Sequence, residues 1–127
     1  MEILSVLKSG DVERYHSNPG ITKQLNSNHQ WRTTILLLHI FPGVDKRVIF
    51  ASLTHDCAEL VTGDLPATLK WDNPNIKEHI SKVEKKVERD MDIYVELDKV
   101  EKDKIKICDM LAVKHLCKLS TLGSAYK

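Results

Sequence analysis

From Ile76 to Val95 the apolar residues fall three and four positions apart: Ile76, Ile80, Val83, Val87, Met91, Tyr94, Val95. That period belongs to one face of an α-helix, with the charged residues Lys85, Lys86, Glu88 and Arg89 forming a solvated face. Similar patterns fill most of the chain, broken at Asn18-Pro19-Gly20, Phe41-Pro42-Gly43, Thr62-Gly63-Asp64-Leu65-Pro66 and Asp72-Asn73-Pro74. Five Gly and four Pro supply few turns, which disfavours a β-sandwich or barrel. The spacing predicts helices over about 6–15, 27–40, 45–62, 75–97 and 102–119. Ser27 or Asn28 is expected to cap the second, Asp45 to cap the third and Gly63 to stop it. The second helix, apolar on nearly every side from Ile35 to Ile40, is expected to be central and buried. The expectation is an all-α bundle of about five helices in one domain, 1–127.

Lys plus Arg is 19 and Asp plus Glu is 18, a net charge of +1. This argues against binding a nucleic acid polymer through bulk charge. With 42% hydrophobic residues the chain is not of a disordered type. Cys57, Cys108 and Cys117 form no disulfide framework, and Cys57 reads as packing. The start MEILSVLKSG has no signal-peptide pattern and the apolar runs are too short to span a bilayer. A cytoplasmic protein without membrane contact is expected.

The informative positions are polar groups where helical period calls for apolar ones. His55 and Asp56 adjoin within the third helix, and Glu59 follows one turn later. In the fifth helix the stripe Ile105, Cys108, Asp109, Ala112, Leu116, Leu119 contains a carboxylate. A buried carboxylate needs a partner or a cation. His29 lies in the first turn of the second helix. Two imidazoles and two carboxylates from three helices suit a divalent ion, and Glu59 would then be free to act on a metal-bound water. On spacing alone, an ordinary satisfied side chain is the commoner reading of such residues.

The stretch HDCAELVTGDLPATLKW, His55 to Trp71, closely resembles the central motif of the YfbR-type 5′-deoxynucleotidases, members of the HD-domain phosphohydrolase superfamily. The early His is supplied by LNSNHQW, the His-Asp pair by LTHDCAE and the distant Asp by KICDMLA. The likeness reaches back to Glu13-Arg14-Tyr15. It implies an HD-domain helical fold with one divalent metal held by His29, His55, Asp56 and Asp109. The ion would be cobalt, manganese, zinc, nickel, iron or magnesium. It further implies that Glu59 handles the proton of the attacking water or leaving alkoxide. Asp64 would position the sugar or the water, Arg14 would grip phosphate, Tyr15 would lie against the sugar or base, and Lys70 would add positive charge. Trp31 is a candidate pocket wall. The remaining histidines, His16, His39, His79 and His115, match no motif position.

The implied activity is removal of the 5′-phosphate from deoxynucleoside monophosphates. The alternative is a triphosphohydrolase that splits a deoxynucleoside triphosphate into deoxynucleoside and triphosphate, served by further cations among Lys23, Arg32, Lys70 and Lys114. The segment after the Asp109 helix is short, which predicts an open pocket. The implied partners are a small deoxynucleotide and further copies of the chain, in a homodimer or higher homo-oligomer. A non-catalytic helical module would lack a metal ligand or Glu59, and all five residues are present.

Overall fold

The computed structural model describes residues 2–14, 23–65 and 67–123, excepting the side chains of 67 and 119–123. Among these, helices α1 (Ile3–Ser9), α2 (Asn26–Ile40), α3 (Lys46–Leu53), α4 (Glu59–Thr62), α5 (Ala67–Trp71), α6 (Pro74–Asp90) and α7 (Lys99–Gly123) account for most of the structure. A two-residue antiparallel ladder joins β1 (Glu13–Arg14) to β2 (Gln24–Leu25), with Arg14 opposite Gln24. The all-α reading holds. The helix count differs because the third segment divides and a short α5 follows the TGDLP turn.

The division falls at the His-Asp pair. Asp45 caps α3 as expected, its Oδ1 accepting from the Val48 N–H at 3.2 Å. The helix then ends at Leu53, because Thr54 adopts φ −118° and ψ 9°. Residues 54–58 form turns. The polar groups freed by the break find side chains: the His55 Nδ1–H donates to the Ser52 carbonyl at 2.6 Å, and the Asp56 N–H donates to Gln30 Oε1 at 3.0 Å. Gly63 stops α4 at φ 71°, a left-handed conformation that costs an L side chain energy.

Helix α2 packs against α7 and α3. Its inward stripe is polar: Asn26, His29, Gln30, Thr33, Thr34, then Leu37. Thr33 and Thr34 donate to the carbonyls of His29 and Gln30 at 2.9 and 2.8 Å, and Thr34 also bonds Ser52 at 2.9 Å. The expectation that 35–40 would be buried is corrected. Leu37 is fully buried, but Ile35, Leu38 and Ile40 are 47%, 39% and 40% exposed. The inner face is claimed by the stripe that carries His29, so these apolar residues turn outward. Nor does Ser27 or Asn28 cap α2. Leu25 stands at the N-cap, and the Asn26 and Ser27 N–H groups donate to the Val12 and Gly10 carbonyls at 2.9 and 3.1 Å.

Two apolar clusters flank the polar stripe. Leu37, Val48, Ile105 and Cys108 form one, with Phe41, Ala51 and Leu97 against it. Cys57, Met91 and Ile93 form the other, with Val6, Phe50 and Val87. Helix α6 ends at Asp90, earlier than its periodicity predicts, because Asp92 at φ 57° turns the chain and sends Met91 and Ile93 into the second cluster. On α7, Ile105, Cys108, Ala112 and Leu116 are buried, as the stripe predicts.

Candidate active site

Four side chains converge where α2, the turn after α3, and α7 meet. The Nε2 of His29 lies 2.5 Å from Asp109 Oδ1 and 3.6 Å from Asp56 Oδ2. The Nε2 of His55 lies 3.2 Å from Asp56 Oδ2, 3.4 Å from Asp109 Oδ1 and 3.3 Å from His29 Nε2. One ligand atom from each residue falls within 4.8 Å of all the others. A carbonyl only accepts, so the bond to Ser52 fixes the proton of neutral His55 on Nδ1 and aims the Nε2 lone pair into the cluster.

Charge is strongly organised here. Burial opposes the charged form of His55, but Asp56 and Asp109 outweigh it and hold the imidazole well above its ordinary range. Burial likewise works against the Asp56 carboxylate, yet His55, Arg14 and His29 pull it down to about 2. Asp109 is held far below the usual carboxylate range, since the bonds from His29 and His55 overcome burial. Without an ion, a proton on the His55 imidazole offsets part of the charge of the two carboxylates. A divalent ion releases such protons and takes the same lone pairs. Ligand atoms about 2.1 Å from one ion stand roughly 3.0 Å apart at right angles, and the separations of 2.5–3.6 Å seen for five of the six pairs straddle that value, with all atoms within 4.8 Å of one another. The donor set fits a divalent metal.

Glu59 opens α4 beside this cluster. Asn26 Nδ2 donates to Glu59 Oε2 at 2.7 Å, and Arg14 Nη1 stands 2.8 Å from Asp56 Oδ2 and 3.8 Å from Glu59 Oε2. Burial, then the Asp56 charge, push the Glu59 carboxyl up to about 8, with Asp64 adding to the effect. Arg14 and Asn26 oppose that rise.

The 5′-deoxynucleotidase YfbR-like family matches residues 41–112, more than half of the chain. The chain belongs to this family. The match contains His55, Asp56, Glu59, Asp64, Lys70 and Asp109. A YfbR-like 5′-deoxynucleotidase from Photorhabdus temperata is 40% identical over 40 residues, 32% of this chain and 20% of that protein. The 5′-deoxynucleotidases of Yersinia pestis (strain Pestoides F) and Yersinia pseudotuberculosis serotype O:3 (strain YPIII) match to the same extent. The matched stretch thus spans a fifth of the length of these relatives. No solved structure matches. HD-type phosphohydrolases of this kind imply a divalent metal. No helix among the described residues is long and apolar enough to cross a membrane.

The other residues singled out in the sequence fall in several places. Lys70 Nζ pairs with Glu84 Oε1 at 3.4 Å. Trp31 is 59% exposed and lines a separate cavity with Arg32, Ile35, Leu36, Leu111, Ala112 and His115, so the structure does not bring it to the YfbR-like cluster. Lys23 pairs with Glu13 at 3.3 Å. His39, His79 and His115 are exposed. Tyr15 and His16 lie outside the described residues.

Periodicity does not point to Asn26 and Gln30, which hold Glu59 and the Asp56 N–H. Their signal was the polar series at 26, 29, 30, 33 and 34, which marks an inward face only once α2 is packed. A cavity of about 430 Å³ adjoins the cluster between α6, the segment 93–97 and α7. Its walls include His55, Asp109, Lys85, Lys102 and Lys106.

Proposed function

We propose that this chain is a metal-dependent phosphohydrolase that releases the 5′-phosphate of deoxynucleoside monophosphates. The observation that carries this is the convergence of four ligand atoms within 4.8 Å, with Glu59 alongside. The names of the family and its relatives support the substrate class and favour a monophosphate over the triphosphate alternative. His29, His55, Asp56 and Asp109 would hold the ion, and their mixed nitrogen and oxygen donors favour manganese, iron, cobalt, nickel or zinc. When bound, the ion supplies Lewis acidity to the phosphoryl group and acidifies a water.

The protein's own residues do the rest. Glu59, with its carboxyl pushed up to about 8, holds or takes a proton at Oε near neutral pH. Asn26 fixes that carboxyl by donating to Oε2. Arg14 exchanges part of its contact with Asp56 for two phosphate oxygens, which its planar guanidinium matches. Asp64 would position the sugar or the water, Tyr15 would serve the sugar or base, and Lys70 would add positive charge for the phosphate on leaving its ion pair with Glu84 at 3.4 Å.

The test is phosphate release from deoxy- and ribonucleotides, mono- to triphosphate, with each divalent metal in turn. Inorganic phosphate from deoxynucleoside monophosphates, abolished by chelator and restored by metal, is the expected result. Triphosphate as the product, or turnover indifferent to metal, would overturn the reading.

The chain further self-associates in this proposal. Trp31 and Ile35 on α2 and Leu111 on α7, 59%, 47% and 40% exposed, line one apolar groove, a surface of the kind that mates with another copy. Light scattering should give twice the mass of one chain, and a monomer mass at micromolar concentration would reject the dimer.

A further inference from the structure

A second groove, about 520 Å³ in volume, runs between α2 and α7. Trp31, Arg32, Ile35 and Leu36 line it from α2 in pairs one turn apart, and Leu111, Ala112 and His115 repeat that spacing on α7. This face of α2 lies opposite the inward stripe of Asn26, His29, Gln30, Thr33 and Thr34. None of the lining residues belongs to the metal cluster, and Arg14, Asn26 and Glu59 are not among them. The groove is therefore separate from the candidate active site, and its volume suits a small ligand.

Its walls are apolar except for Arg32 and His115. Arg32 makes no hydrogen bond or ion pair among the described residues, and its Nη1 is buried without a partner. A charged N–H cut off from both water and an acceptor is costly. A rotation of the flexible Arg32 stem toward the groove would let its planar fork meet an anion there, and a carboxylate matches that fork with two oxygens. The surrounding helices cannot supply one. Helix α2 has no Asp or Glu, and α7 has none from Met110 to Gly123. Lys114 and Lys118, both exposed on α7, make this end of the surface positive. In a two-fold dimer mated across this face the second copy presents the same residues, so it brings cations to Arg32 and no carboxylate.

We propose that this groove binds an amphipathic carboxylate, an apolar chain or ring ending in a carboxylate, whose anionic group pairs with Arg32 while its apolar body lies along Ile35, Leu36 and Leu111. The carboxylate gives Arg32 its missing acceptors, and the apolar body leaves water for a surface already apolar. By neutralising Arg32 it also removes a like-charge contact from the dimer proposed above. The site goes beyond the deoxynucleotidase reading and does not depend on it.

The experiment titrates the metal-loaded protein, in a Trp71→Phe background that leaves Trp31 as the one tryptophan, with octanoate, octanol, octylammonium and acetate near neutral pH. Trp31 emission and calorimetric heat read the binding. Octanoate should saturate at one per chain. Octanol keeps the chain and lacks the charge, so it should bind at least about tenfold more weakly, the usual worth of hydrogen bonds to a charged group. Acetate, with the charge and no chain, and octylammonium, with the opposite charge, should not saturate at octanoate's concentrations. Arg32→Gln removes no bond within the protein, so its helical circular dichroism should match the wild type while its octanoate affinity falls to within about threefold of octanol. Arg32→Lys, which keeps the charge and loses the fork, should be intermediate. Equal affinity of the wild type for octanoate and octanol would overturn the proposal. An unchanged octanoate affinity in both Arg32 variants would overturn it too, placing the carboxylate elsewhere, as on the bound metal. Absence of saturable octanoate binding, with Trp31 emission following protein concentration instead, would give the groove to a second copy alone and reject the ligand.

Discussion

Asn26 and Glu59 are 33 positions apart in the chain, yet the Asn26 amide donates to Glu59 Oε2 at 2.7 Å and to the Asp56 carbonyl at 3.3 Å. A single side chain at the start of α2 thereby sets the second half of the His-Asp turn and the carboxylate one turn beyond it. Glu59 can keep one orientation only while α2 stays packed there. The proton chemistry of the site thus depends on the fit between two helices.

Glu59→Gln should retain bound metal and lower turnover by about two to four orders of magnitude, the usual worth of a positioned acid or base. Asn26→Ala leaves the carboxyl in place but loosens it, so its loss should be smaller and fall on kcat rather than KM. Steady-state kinetics with metal content measured on the same samples separates these outcomes. Equal turnover in Glu59→Gln and wild type would move the proton work elsewhere.

Asp109→Ala should abolish stoichiometric metal binding, weakening affinity by at least about 100-fold, since even partners that only orient ligands are worth about 10–100-fold. The helical circular dichroism should persist, because Ile105, Cys108, Ala112 and Leu116 keep α7 in the core. Equilibrium dialysis followed by elemental analysis reads the metal directly. Full occupancy in this variant would remove Asp109 from the ligand set.

The metal-free protein should show a skewed pH–stability profile. Asp56 and Asp109 have depressed folded values, Asp56 at about 2, so their contribution is present above the ordinary carboxylate pKa near 4 and fades as pH falls toward 2. Glu59 is raised to about 8 and His55 is raised above the imidazole range. Their contributions are complete below their unfolded values, roughly 4.3 and 6.5, and are lost as pH rises through the folded ones. Melting temperature without metal should therefore climb from pH 2 to about 4 and decline between about 5 and 8. A saturating divalent ion should raise it more at pH 8 than at pH 6, since metal and protons compete for the same atoms. A metal-induced shift that is larger at pH 6 would contradict this charge arrangement.

Gly63→Ala should cost about 1–2 kcal/mol, because φ 71° places a Cβ against the backbone. No neighbouring atom lies within 4 Å of the added Cβ, so the penalty is conformational and not a clash. Denaturant titration measures it. An unchanged midpoint would mean that the turn before Asp64 has shifted.

The sequence by itself determined the helical class, the Asp45 cap, the Gly63 stop and the inward stripe of α7 on which Asp109 rides. Those features are local: a 3.6-residue period, a side chain reaching an N–H three positions on, a residue free of a Cβ. It also carried the family motif, because HDCAELVTGDLPATLKW is contiguous. Tertiary structure alone decided which face of α2 turns inward. Read as periodicity, Ile35 to Ile40 looks like core, yet the packed face is Asn26, His29, Gln30, Thr33 and Thr34. Polar groups can line an interior only when partners from elsewhere satisfy them, and Glu59, Ser52 and the Asp56 N–H are such partners. The break between α3 and α4 was hidden for the same reason. The helical pattern runs on through His55 and Asp56, and what makes ending the helix affordable is Gln30, a residue 26 positions away on another helix.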